Sequence, residues 1–341
     1  MNFSTKNKLV KIIFFSLLVG LITTACSKSP EVNKEAPADN KIKLVDDADK
    51  AYVGFILDTL RDERWYGDKE AFEEEVIKLG GNVKTLAANG NDDVQIKQAE
   101  LLIAEGVDVL VVVPHDGEVA APIVELAHQA GIKVISYDRL IRNADVDYYV
   151  SFDNIKVGEI QASEILKSAP SGNFVYIGGA ESDNNAVLLR EGTMNVLQPL
   201  IDSGKINIIF DQYTDDWAPE IAMENMKGIL KSHGNEIDAV IAANDGTAGG
   251  VIEALVAAGL AGDIPVSGQD AETEAINRIK AGTQTMTVQK PIEVISAQAA
   301  EMAVKLANGE EIATETTINN GKKDIPSIML ESVPITKENS K

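Results

Sequence analysis

Short apolar runs recur from residue 51 onward, each followed by a stretch with helical periodicity. The runs fall at 51–57, 82–87, 107–113, 132–137, 173–178, 206–210, 237–243 and 264–267. Between them, 92–105, 118–130, 155–168, 184–201, 219–231 and 246–259 carry apolar residues at a 3.6-residue period. Gly80, Gly81, Gly106, Gly131, Gly204, Gly259 and Gly282 punctuate the helix ends. Strands that alternate with helices run parallel, and the helices cover both faces of the sheet. About ten such units exceed one sheet, and 341 residues suit two lobes of about 130–150 each. The expected fold is therefore α/β, with two similar doubly wound parallel-sheet lobes. A hydrophobic fraction of 45% with only 5% aromatics fits sheets buried on both faces.

Doubly wound sheets bind ligands beyond the carboxyl ends of their strands, so the residues after each run are the first candidates. Asp58, Arg61, Arg64 and Trp65 follow 51–57, and Asp138 and Arg139 follow 132–137. Asp183, Asn184 and Asn185 follow 173–178, and Asp215, Asp216 and Trp217 follow 206–210. Asn244 and Asp245 follow 237–243, Gln269 and Asp270 follow 264–267, and Lys290 follows the short run 284–288. Polar post-strand loops are ordinary, and many such residues are helix caps or solvated. That both tryptophans of the chain lie here is less ordinary, and it favours a binding cleft.

These side chains suit a sugar. Trp65 and Trp217 offer flat faces for the C–H patches of a ring. Arg64, Arg139 and Arg190 offer rigid forks that span two vicinal oxygens, which lysine does not match. Arg190 lies seven residues beyond Asp183, on the same face of a helix that starts there, and is expected to reach back to the loop. Asp138 and Asp270 accept from hydroxyl pairs, and Asn185 and Asn244 donate and accept.

Catalytic and cofactor motifs are missing from the sequence. His115, His128 and His233 share no pattern with a serine or with the single cysteine; only His115 follows a strand end, and the other two read as helix-surface residues. No GxGxxG or GxxxxGK[ST] follows a strand, so neither a dinucleotide nor a P-loop site has its glycine turn. Asp215 and Asp216 are adjacent in one loop, whereas glycosidase carboxylates face each other across the scissile bond. Nothing resembles HExxH or a His/Cys metal cluster. No enzyme activity, cofactor or metal is expected.

The N-terminus directs the chain outward. Lys6, Lys8 and Lys11 flank an apolar run, Ile12 to Ile22, too short to span a bilayer and typical of a secretory signal. It ends at Thr23-Thr24-Ala25-Cys26, which resembles the bacterial lipobox, whose cysteine carries lipid after cleavage. An ordinary signal with a chance cysteine is the competing reading. Loss of residues 1–25 removes three of the positive charges behind the −22 total and leaves a formal charge of −25, which opposes nucleic-acid binding. Residues 26–48 are polar, contain two prolines and read as a flexible tether.

LRDERW (60–65), GVDVLVVVPHDG (106–117), YDRLI (137–141), DNNA (183–186), AANDGTAGG (242–250), GQDAE (268–272) and AGTQTMTVQKP (281–291) carry a family resemblance. From about residue 50 to 335 the chain resembles the bacterial D-xylose-binding proteins of ABC sugar transport, within the type I periplasmic binding protein superfamily. The resemblance implies sugar contacts at Arg64, Trp65, Asp138, Arg139, Arg190, Trp217, Asn244, Asp270 and Lys290, with Asp183 and Asn185 as neighbours. Lys290 is the weakest of these from the residues alone, because a lysine beside a proline is more often solvated. The resemblance also implies a three-strand hinge, with crossings near 152–154, 284–290 and 318–326. The first lobe would be 49–153 plus 286–318, and the second 154–285 plus 319–337. D-xylose, an ABC permease and, through Cys26, the outer face of the cell membrane are the implied partners of a monomer. A xylose-sensing subunit for a membrane histidine kinase is the alternative. A sugar-responsive repressor would need a DNA-binding helix-turn-helix where the signal segment stands.

Overall fold

The computed structural model describes residues 43–45, 47–234 and 236–340. The expected signal segment, Cys26 and tether residues 26–42 lie outside them. Residues 43–45, also expected in the tether, are tied to the body: Leu44 N donates to Glu105 O at 2.9 Å, and Lys43 pairs with Asp108 at 2.7 Å.

The first half alternates as β1 (Tyr52–Leu57), α1 (Glu63–Lys78), β2 (Asn82–Ala87), α2 (Asp92–Ala104), β3 (Val109–Val112), α3 (Ala121–Gln129), β4 (Lys133–Tyr137) and β5 (Tyr148–Phe152). There follow α4 (Asn154–Ser168), β6 (Gly172–Ile177), α5 (Asn184–Asp202), β7 (Ile206–Gln212), α6 (Pro219–His233) and β8 (Ala239–Ala242). Then come α7 (Asp245–Ala258), α8 (Thr273–Ala281), β9 (Met286–Gln289) and α9 (Ile292–Ala307). The last strands are β10 (Thr316–Asn319), β11 (Asp324–Leu330) and β12 (Val333–Thr336).

One sheet has the order β10-β11-β5-β4-β3-β1-β2, parallel except for the edge strand β10. A second has the parallel order β7-β6-β8, and β12 and β9 form a separate antiparallel pair. Strand periodicity divides each sheet into two faces. Val53, Phe55 and Leu57 of β1 face α1 and α9 with Phe72, Ile295 and Met302, whereas Tyr52 and Ile56 face α2 and α3 with Leu102 and Ile123. In the second sheet Val175 and Ile177 pack on α6 and α7, while Phe174 and Tyr176 pack on α4 and α5. Both sheets are thus covered on both sides, as their near-continuous apolar strands require. Among the described residues no helix is long and apolar enough to cross a membrane.

Three expectations are corrected. Residues 264–267 form no strand: Pro265 lacks an amide hydrogen, and pairing with β8 is reduced to the bridge Val240–Val266. Residues 324–330, expected with the second lobe, are β11 and pair in parallel with β5 of the first sheet. Residues 286–289, expected with the first lobe, are β9, which pairs with β12 and bridges to Gln269. The chain therefore passes between the elements of the two sheets at 153, at 290–291 and at 331–332. The third crossing does not lie at 318–326.

Candidate functional site

Parallel strands place their carboxyl ends along one edge, and the loops leaving both sheets meet at one pocket. Arg64, Trp65, Asp138 and Arg139 line it from the first sheet. Asp183, Asn185, Trp217, Asn244 and Asp270 line it from the second, and Lys290 from the crossing after β9. Asp62 and Gln269 complete the lining. Asp62 is not among the sequence candidates, and Gln269 is a post-strand candidate to which no sugar contact was assigned.

Arg190 is not among the lining residues. Helix α5 does begin at Asn184, with Asp183 as its side-chain cap, but seven residues are about 10 Å along a helix axis. Asp211 on β7 is nearer: Arg190 Nε donates to it at 2.9 Å, and Nη2 closes the second bond of the fork. Trp65 lies in the first turn of α1 rather than in a loop, because the link after β1 is only five residues long.

Each cation of the pocket is fixed by carboxylates. Arg64 donates to Asp138 at 2.6 Å, to Asp270 at 2.9 Å and, one helical turn on, to Asp68 at 3.3 Å. Tyr137 donates its hydroxyl to the other oxygen of Asp68. Arg139 lies between Asp58 at 2.7 Å and Asp183 at 2.8 Å. Lys290, the weakest candidate from the residues alone, is 3% exposed and stands 3.5 Å from Asp138 and 3.4 Å from Asp270. The Arg64 and Arg139 guanidinium carbons lie 4.7 and 5.2 Å from the centroid of Trp65.

This alternation of charge sets the acidities. Burial pushes the Asp138 carboxyl up, but Arg64, Lys290 and Arg139 outweigh it and hold it at about 2. Burial raises Asp183 despite Arg139, and it raises Asp68 to about 6 despite Arg64. Asp58 is also raised by burial, but Arg139 and His115 bring it below its ordinary value.

Backbone strain gathers here too. Asp138, Trp217 and Asp270 have φ of 57°, 57° and 95°, the region that favours glycine. Around Asp138 the strain is held by Tyr149 and Ser151, whose hydroxyls donate to its carbonyl at 2.9 and 2.6 Å. The Trp217 Nε1–H donor and the Gln269 Oε1 acceptor are buried and have no hydrogen-bond partner among the described residues. Among the described residues no group of three or more His, Cys, Asp or Glu side chains is arranged to hold a metal. His115 stands 2.9 Å from Asp58 and lines an adjoining pocket that shares Arg139 and Trp217 with the first. His128 pairs with Asp147, and His233 with Ser232.

A family model described as a periplasmic binding protein domain matches residues 53–311. The chain belongs to that family. Of this binding protein's relatives, the D-xylose-binding periplasmic protein of Escherichia coli is 49% identical over 294 residues, covering 86% of this chain and 89% of the relative. The D-xylose-binding periplasmic protein of Haemophilus influenzae is 48% identical, covering 84% and 86%. A carbohydrate transporter solute-binding protein from Chloroflexus aurantiacus, solved with D-glucose, superposes with a TM-score of 0.78 at 36% identity, covering 84% and 93%. The fold is the type I arrangement of parallel-sheet lobes. These homologues are solute-binding transport proteins, and this one is a binding protein, not an enzyme.

Proposed function

We propose that this protein is an exported, lipid-anchored solute-binding protein that captures D-xylose in a cleft between two lobes and delivers it to an ABC permease. The observation that carries the reading is one pocket containing both tryptophans, three buried cations and the carboxylates that orient them. A sugar enclosed in a cleft needs a partner for nearly every hydroxyl. Asp138, Asp270, Asn185 and Asn244 supply acceptors and donors. The free Trp217 Nε1–H and Gln269 Oε1 suit hydroxyls that can both accept and donate. The printed function of the two relatives at 49% and 48% identity supports xylose as the sugar. The lobes rest on the two sheets, and the crossings at 153, 290–291 and 331–332 serve as the hinge. Cys26 carries the lipid, which Cys26→Ser would abolish in metabolic labelling with a fatty acid.

A micromolar dissociation constant corresponds to about 8 kcal/mol. Ten hydrogen bonds netting about 1 kcal/mol each exceed that, but the lost translational and rotational freedom costs at least about 4 kcal/mol, so stacking and preorganisation must contribute. The test is a calorimetric titration against a panel of pentoses and hexoses, with intrinsic fluorescence as the second readout. Xylose should bind and perturb the tryptophan emission. A response to ribose or galactose with none to xylose overturns the specificity. Trp217→Ala and Arg139→Ala should each weaken binding at least tenfold, about 1.4 kcal/mol, and wild-type affinity in either removes that residue from the site.

A further inference from the structure

Asp245 lies outside the pocket lining, is 1% exposed and, among the described residues, has no cation on its carboxylate. Arg278, the nearby guanidinium, donates instead to the Asp245 carbonyl at 2.8 Å and to Gln284 Oε1 at 2.9 Å. The carboxylate is met by three neutral donors, one from the loop before α8 and two from the stretch that enters β9. Gln284 Nε2 reaches Oδ1 at 2.8 Å, while the Thr287 hydroxyl and the Glu272 amide reach Oδ2 at 2.8 and 3.0 Å. A buried carboxylate without a cation is a poor way to stabilise a fold, so its placement calls for another reason.

That reason is the loop 269–272. Asp270 and Ala271 both have positive φ, 95° and 55°, a conformation that non-glycine residues keep only when their surroundings impose it. Each amide of the strained segment is anchored. Asp270 N donates to Val288 O at 2.8 Å, Ala271 N to Thr287 Oγ1 at 3.2 Å, and Glu272 N to Asp245. The Thr287 hydroxyl donates its own hydrogen bond to Asp245, so one carboxylate terminates two of the three anchors. Asp245 N in turn donates to Gln269 O at 3.0 Å. A Cβ at Gly268 would collide with the Asp245 carboxylate, so the loop approaches as closely as a glycine allows. The loop presents Gln269 and Asp270 to the pocket, and Thr287 lies on the strand that leads directly into Lys290.

We infer that Asp245 is a positioning residue for ligand binding: its carboxylate clamps the strained 269–272 loop to β9 and so sets where Asp270 and Lys290 meet the sugar. The inference rests on the reading of the pocket as a sugar site. The experiment measures D-xylose affinity by calorimetry and thermal stability by circular dichroism for the full chain and its variants. Asp245→Asn places an amide group against one of the donors and should weaken xylose binding at least tenfold in fully folded protein. Thr287→Val removes the relay hydroxyl and should do the same. Thr287→Ser, which retains the hydroxyl, should recover most of the loss.

A double-mutant cycle separates positioning from general destabilisation. In an Asp270→Asn background, Asp245→Asn should cost less than threefold, because the group it positions is already impaired. Lowered melting temperature with unchanged affinity overturns the inference, as does an additive cycle or a failure of serine to rescue. If Asp245→Asn does not fold, the Thr287→Val and Thr287→Ser pair decides. A wild-type chain that binds no sugar of the panel overturns the sugar reading itself, and this inference with it.

Discussion

Gly179 shows how a residue without a side chain can shape a binding face. A Cβ built there comes within 2.2–2.4 Å of three carbons of the six-membered ring of Trp217. The glycine has no positive φ, so alanine is acceptable to the backbone and only the indole must yield. Gly179→Ala should therefore leave the far-ultraviolet circular dichroism unchanged, shift the tryptophan emission and weaken sugar binding at least tenfold. Wild-type affinity would mean that the Trp217 face is not used. Trp217 itself has a left-handed backbone and follows Asp216, whose carbonyl accepts from Arg61 at 2.6 Å. The indole is thus aimed from behind by the missing methyl and from below by its own turn. Asp68 does similar work for Arg64, holding its Nε so that the two terminal nitrogens face Asp138 and Asp270.

Glycines also set how closely the helices pack. A Cβ at Gly192 of α5 would strike the carbonyl of Ile155 on α4, and one at Gly158 of α4 would strike that of Leu189 on α5. Gly250 of α7 stands in the same relation to the Pro219 carbonyl at the start of α6. These helix starts carry Asn244 and follow Trp217, so a shift there would move the pocket. Gly250→Ala should destabilise the protein by about 1–3 kcal/mol through overpacking, read as a lower urea midpoint at unchanged slope. No change in midpoint would mean that the pair relaxes freely. A contact between elements of the two sheets has another character. Glu63 on α1 accepts from the Thr273 amide at 3.1 Å and its hydroxyl at 2.6 Å, and so caps α8, which lacks a side-chain cap of its own.

For the whole molecule, the balance of buried acids gives stability a pH dependence. Burial, with Asp270, Asp245, Asp62 and Glu63 nearby, raises Glu272 from 4.5 to about 8. Burial likewise raises Asp245 to about 7, and Asp68 to about 6. A carboxyl whose folded pKa is raised holds its proton more tightly in the native state. Its contribution is complete below the unfolded pKa and is lost as pH rises through the folded value. Asp138, held at about 2, has the opposite sign: it stabilises above the unfolded pKa and ceases to do so as pH falls through 2. Urea midpoints should therefore decline from about pH 4.5 to pH 8. Glu272→Gln should flatten that decline, gaining stability at pH 8 and changing little at pH 4.5. An unchanged slope would remove Glu272 as its source.

The alternation of apolar runs and helices determined the layered α/β fold, because a strand buried on both faces must be apolar along its length, and this is a local property. The carboxyl-end rule then selected eleven of the twelve lining residues before any coordinates, since the direction of a parallel strand is fixed by its crossover. Local pattern could not place Arg190, whose partner Asp211 comes from another element and outcompetes a reach of two helical turns. Nor could it reveal that Lys290 is buried between two carboxylates, or that β11 returns to the first sheet while β9 stays beside β12. Those outcomes depend on which distant groups meet. Pairing, burial and charge compensation between remote segments are energies of the assembled chain, and only the tertiary structure decides them.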